Sequence, residues 1–118
     1  MVKDTIGLEA ETSEDLKAKA LVLEDLVSYE KGAVVSRTVV DKKAGTITIF
    51  SFDEGEGLSE HTAPYDATVV ILDGKVEMTI SGTPLVAKAG EMVIMPAGEP
   101  HALRALTPFK MALVMIRA

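Results

Sequence analysis

Gly55-Glu56-Gly57-Leu58-Ser59-Glu60-His61-Thr62-Ala63-Pro64-Tyr65-Asp66-Ala67 leads into Thr68-Val69-Val70-Ile71-Leu72-Asp73-Gly74. The first part is a glycine-punctuated loop that delivers a histidine to the start of an apolar strand, predicted at 67–73. That strand is apolar on both faces, which predicts burial on both sides. Asp73-Gly74 matches the preference of a two-residue hairpin turn, where positive φ is required. A second segment punctuated by glycine and proline, Gly90 to His101, carries the only other histidine of the chain.

Working outward, the signal is β almost throughout. Lys75-Val76-Glu77-Met78-Thr79-Ile80 alternates polar and apolar residues, as a half-buried strand does. Thr46 to Phe52 is rich in β-branched and aromatic residues and largely alternates, and residues 34–40 are another β-branched run. Asp41 to Gly45 and Ser81-Gly82 read as turns, and further short strands are expected near 84–87, 91–95, 101–105 and 109–117. On the N-terminal side, Thr12 or Ser13 can cap a helix of about two turns running to Ala20. A strand is placed near 26–29 and a turn at Glu30-Lys31-Gly32. Nine or ten short strands with frequent turns indicate a sandwich or barrel.

Composition narrows the function. The 118 residues suit one domain, divided into an N-terminal arm with its helix (1–32) and a β-barrel (33–118). Having no cysteine, the chain has no disulfide, thiolate metal site or cysteine nucleophile. The net charge of −6 argues against a nucleic-acid partner. No apolar run is long enough to span a membrane, and Met1-Val2-Lys3-Asp4 lacks the pattern of a secretory signal. A cytoplasmic location is therefore expected, without a membrane partner. Phosphate-loop, dinucleotide and serine-hydrolase fingerprints are missing. Met92, Met95, Met111 and Met115 read as core filler.

Gly55, His61 and Gly74 keep the spacing of the first motif of the cupin superfamily, G-x5-H-x-H-x3,4-E-x6-G, which this stretch resembles. Ala63 stands at its second histidine and Ala67 at its glutamate. Gly90, Pro96, Gly98 and His101 resemble the second motif, G-x5-P-x-G-x2-H-x3-N, with Ala105 at the asparagine. The resemblance implies an all-β, double-stranded β-helix or jelly-roll barrel, commonly a homodimer, with His61 and His101 meeting in the barrel mouth.

It also implies a metal site that has lost two of its four ligands. Ni, Cu, Zn, Fe and Mn sites generally use three or more protein donors, so His61 and His101 would hold such an ion weakly. Glu56 and Glu99 are nearby carboxylates with no specific support as replacements. Either histidine alone reads as a structural core residue; their joint spacing favours a site. Ala63, Ala67, Leu103 and Ala105 predict an apolar cavity lining, suited to a small apolar or amphipathic ligand. Three functions stay open. One is a small-molecule-binding protein with a degenerate two-histidine site. The second is a metal-dependent cupin enzyme of the oxygenase, isomerase or decarboxylase type. The third is a metal-free, epimerase-like acid–base catalyst using His61 or His101, with Tyr65 as acid.

Overall fold

The structure, a computed structural model, describes residues 13–117. Among these residues nine strands form two sheets: β1 Val34–Lys42, β2 Gly45–Phe52, β3 Gly57–His61, β4 Ala67–Asp73, β5 Lys75–Ile80, β6 Thr83–Lys88, β7 Met92–Met95, β8 His101–Ala105 and β9 Phe109–Ile116. One sheet runs β1-β2-β9-β4-β7 and the other β3-β8-β5-β6, with antiparallel pairing throughout. This is the expected jelly roll.

The period-two pattern explains which face is buried. In β4, Ala67, Val69 and Ile71 are buried while Thr68, Val70 and Leu72 are half-buried on the outer face. In β5, Val76 and Met78 point inward, and in β9 Phe109 and Met111 do. The two sheets meet over these side chains. Phe52 and Phe109 stack there with ring centroids 4.6 Å apart and planes 5° apart, both fully buried. Of the methionines expected as core filler, Met95 and Met111 are in this core and Met115 packs against it. Met92 differs from expectation: it faces outward on edge strand β7 and is exposed.

Asp73-Gly74 is not a hairpin. β4 belongs to one sheet and β5 to the other, so this dipeptide is the corner where the chain changes sheets. Its turn chemistry was legible, but β4 is claimed on both sides by β9 and β7 rather than by its sequence neighbour. Gly74 has φ 78°, and a Cβ there would overlap the Pro108 carbonyl, so backbone approach as well as conformation requires glycine. The true two-residue hairpin is Ser81-Gly82 between β5 and β6, where both φ values are positive.

Two N-terminal expectations also change. The α-helix is a single turn, Ser13–Leu16, and the chain leaves helical geometry at Ala18, whose φ is 59°. Thr12 lies outside the described residues. Residues 26–29 form no strand. A 3-10 turn at Leu23–Leu26 leads into a strap lying across the outer face of the larger sheet. Its alternate carbonyls are taken by side chains instead of a neighbouring strand. Glu24 accepts from Lys110 Nζ at 2.6 Å, Leu26 from Arg37 Nη1 at 3.4 Å, and Ser28 from Ser51 Oγ at 2.8 Å. Leu26 and Val27 are both buried, against Ile49 and Ala112, a pattern that fits neither strand nor helix period. Tyr29 closes the strap by donating to Asp73 Oδ2 at 2.6 Å; burial first, and then this bond, push its hydroxyl pKa upward.

Because Phe52 fills the centre of the inter-sheet contact, Phe52→Ala should destabilise the fold by about 3–5 kcal/mol. Urea denaturation followed by circular dichroism measures this; a loss below about 1 kcal/mol would contradict the packing described.

Candidate functional site

His101 opens β8, and His61 ends β3, the edge strand beside it. The two residues are register partners. Sequence reasoning placed residues 55–61 in a loop leading into the apolar strand. Instead 57–61 pairs as a strand of its own, and residues 62–66 connect it to β4.

The pairing contains an irregularity that decides the site. Leu58 sits opposite Leu103, yet His61, three residues on, sits opposite His101, only two residues away along β8. β3 therefore carries one extra residue, a β-bulge, which bends a strand and re-aims its side chains. Strict alternation from inward-packing Leu58 would present Glu60 to His101. The bulge presents His61.

The imidazoles meet edge to face, with planes 75° apart and Nε2 atoms 3.2 Å apart. Each ring is fixed from behind in the same way. His61 Nδ1 lies 2.8 Å from the Ser59 carbonyl and His101 Nδ1 lies 3.2 Å from the Glu99 carbonyl, two residues earlier in each case. A carbonyl oxygen only accepts, so each Nδ1 carries the proton, and with both rings neutral the two Nε2 atoms face each other unprotonated. Two bare nitrogens at this distance repel. A proton or another cation between them relieves that repulsion.

Loop contacts hold the two segments together. Gly98 N donates to the Ala63 carbonyl and Ala97 N to Asp66 Oδ1, both at 2.8 Å, joining the connection after His61 to the turn before His101. Sequence reading assigned no role to Asp66; its signal was a carboxylate in a short loop ahead of an apolar strand. Glu99 binds the Ser81 hydroxyl through its carboxylate, anchoring the turn to the β5–β6 hairpin.

The four residues expected to line a cavity are all buried. Leu103 and Ala105 share the inner face of β8 with His101, and together with Ala67 they belong to the main core cluster. Tyr65 is half-buried in the β3–β4 connection. The hydrogen bonds found for the two rings lead to each other and to carbonyls, not to Tyr65.

The donor set has the right chemistry for a divalent transition metal, because backbone-fixed Nδ1 protons leave Nε2 atoms free to ligate. It has too few members for a closed site. Among the described residues no group of three His, Cys, Asp or Glu side chains comes together. Ala63 and Ala67 supply no donor where the family pattern has His and Glu.

His101 is 3% exposed and His61 is on the exposed rim. Burial, and secondarily the charge of His61, hold the His101 pKa below the ordinary histidine value of 6.5, against the opposing pull of the Glu99 carbonyl. The folded state thus takes up this proton less readily than the unfolded chain. Stability from neutral His101 is complete above that ordinary value and is lost as pH falls toward the lower folded value. Between about pH 7.5 and about pH 5, the denaturation midpoint of wild type should fall more than that of His101→Gln. Parallel pH profiles for the two proteins would rule the effect out.

No helix among the described residues is long and apolar enough to cross a membrane. The Cupin domain family matches residues 48–117, which contain both histidines and every strand from β3 onward. A conserved protein of unknown function from Streptococcus pyogenes, SPY1581, is 40% identical, with a TM-score of 0.82 over 86% of this chain and 89% of that one. A cupin 2 conserved barrel domain protein from Leptotrichia buccalis is 39% identical over 80% of this chain and 46% of its own length, with a TM-score of 0.77. A cupin superfamily protein from Desulfitobacterium hafniense has a TM-score of 0.82 at 24% identity, covering 86% of this chain and 94% of that one, a likeness of fold. No curated protein matches. Motif spacing, jelly-roll topology and a family match over more than half of its length agree that the chain belongs to the cupin superfamily.

Proposed function

We propose that this cupin binds a small molecule at the His61–His101 pair, as a binding protein with a reduced metal site. One observation carries this reading: two imidazoles, each with its Nδ1 tied back, aim their Nε2 atoms at one point. A structural core histidine satisfies both ring nitrogens on fixed partners; here the inward nitrogens are left to each other. An apolar or amphipathic ligand body remains the expectation from Ala63, Ala67, Leu103 and Ala105, all of which belong to the buried core. Acid–base catalysis has less support, because among the described residues no carboxylate orients either ring and Tyr65 is not bonded to them.

A thermal-shift screen of small organic acids and amphipaths, with and without added divalent metals, tests the proposal. At least one compound should raise the melting temperature of wild type and not of His61→Ala. Stabilisation that is equal in both proteins would place the ligand elsewhere.

We also propose a homodimer, supported by the outer face of the larger sheet. The strap covers only part of that face. Met92, Ile94 and Ile116 stand 58%, 53% and 64% exposed, and Ile94 continues through the partners Thr68, Val114 and Ile47 across the sheet. A mostly apolar row, broken by Thr68 and ending in an edge strand that no described residue covers, invites a second copy. Sedimentation velocity should show a dimer for wild type and a monomer for Met92→Glu/Ile94→Glu. A monomeric wild type at about 100 µM would exclude this association.

A further inference from the structure

We propose a second binding site, on the other sheet from the histidine pair and independent of it. A groove at the end of β1 takes a small amphipathic carboxylate, its apolar body between the walls and its charged head on the rim.

Two departures from regular backbone build the groove. Along β1, Thr38 faces Thr48 and Val40 faces Ile47, so Val39 is an extra residue and the strand bulges there. Strict alternation would send Val39 and Val40 to opposite faces. In a bulge two residues oppose one, and both valines line the groove. On the other wall, Ala18 has φ 59°, a left-handed conformation that is costly for a residue with a Cβ. The chain turns there, and Leu16 before it and Leu21 after it both line the groove. Leu16 is buried, whereas Leu21 stays 37% exposed. Val39 also packs against the Leu26–Val27 strap, so the groove opens on the outer face of the larger sheet. The histidine pair plays no part, since it lies between β3 and β8 of the smaller sheet.

Size and charge select the occupant. The groove encloses about 180 Å³ between these four apolar side chains. An apolar cavity of about 150 Å³ is enough to hold benzene, so the groove suits one ring or a short acyl chain. Lys17 and Lys42 stand on its rim with Asp41. Arg117 adds a third cation at the Lys42 end, where its Nη1 donates to the Lys42 carbonyl at 3.1 Å and its backbone N to the Ala44 carbonyl at 2.7 Å. In a chain of net charge −6, this rim carries more positive than negative charge. Apolar walls under a cationic rim match an amphipathic anion. A carboxylate fits better than a phosphate monoester, because a second negative charge would meet Asp41.

Octanoate is the probe, added to the full chain carrying carbon-13-labelled leucine and valine methyl groups. Titration up to about 10 mM should shift the Leu16, Leu21, Val39 and Val40 methyl signals in a saturable way. Lys42→Glu and Leu21→Ser should each weaken binding by at least about fivefold. Both positions are exposed, so neither substitution disturbs the core, and circular dichroism verifies the fold. His61→Ala should bind octanoate as wild type does. Octanol, with the same chain length and no charge, should bind wild type more weakly than octanoate and should not distinguish wild type from Lys42→Glu.

The absence of a saturable shift at these four residues overturns the inference, as does a response confined to other methyl groups. So does equal octanoate affinity in wild type and Lys42→Glu. If the four signals move with protein concentration alone and ignore octanoate, a second copy covers the groove and the carboxylate assignment falls. Octanoate binding lost in His61→Ala would place the ligand at the histidine pair, so that the reading under Proposed function stands and this one falls.

Discussion

The insertion of β9 between β2 and β4 is the constraint on which everything else depends. Eight register pairs join it to β2 and six to β4, so the last strand of the chain completes the middle of the larger sheet. Without it, β1-β2 and β4-β7 would be separate fragments with raw edges. Phe109, its first residue, seals the arrangement by stacking on Phe52 between the sheets. Such contacts join residues far apart in sequence, so the loop-closure entropy of the whole barrel is met before they form.

The site inherits its rigidity from this closure. His101 lies on β8, a few residues ahead of β9, and β8 is flanked on both sides, by β3 and β5. Its neighbour His61 lies on a strand paired on one side only. One imidazole thus belongs to the fixed part of the barrel and the other to its rim. The paired bonds from the Ala97 and Gly98 backbone amides to the Asp66 carboxylate and the Ala63 carbonyl limit how far that rim can depart.

Much of this was legible in the sequence wherever a local rule and the tertiary structure agree. Alternation in 75–80 and 101–105 marks inward faces correctly, and the spacing of His61 and His101 among their glycines brings the pair together. What could not be read depended on distant partners. Asp73-Gly74 has the chemistry of a hairpin, yet β9 and β7 occupy the sides of β4, leaving the dipeptide as a corner. Leu26 and Val27 are strand-like in composition, but the Lys110, Arg37 and Ser51 side chains receive that segment, and none of them is adjacent in sequence. The separate strand at 57–61 was hidden because its alternation is broken by an extra residue.

That extra residue makes the chemistry of the site a property of backbone register as well as of side-chain identity. Glu60 and His61 are neighbours competing for one slot opposite His101, and the bulge awards it to the imidazole. A slip of β3 by a single position would install a carboxylate there, converting a pair of neutral nitrogen donors into a mixed nitrogen–oxygen pair with negative charge, while the sequence stayed the same. A family that varies the composition of its barrel mouths can therefore do so by moving a bulge along an edge strand, a route that comparison of aligned residue letters alone would not reveal.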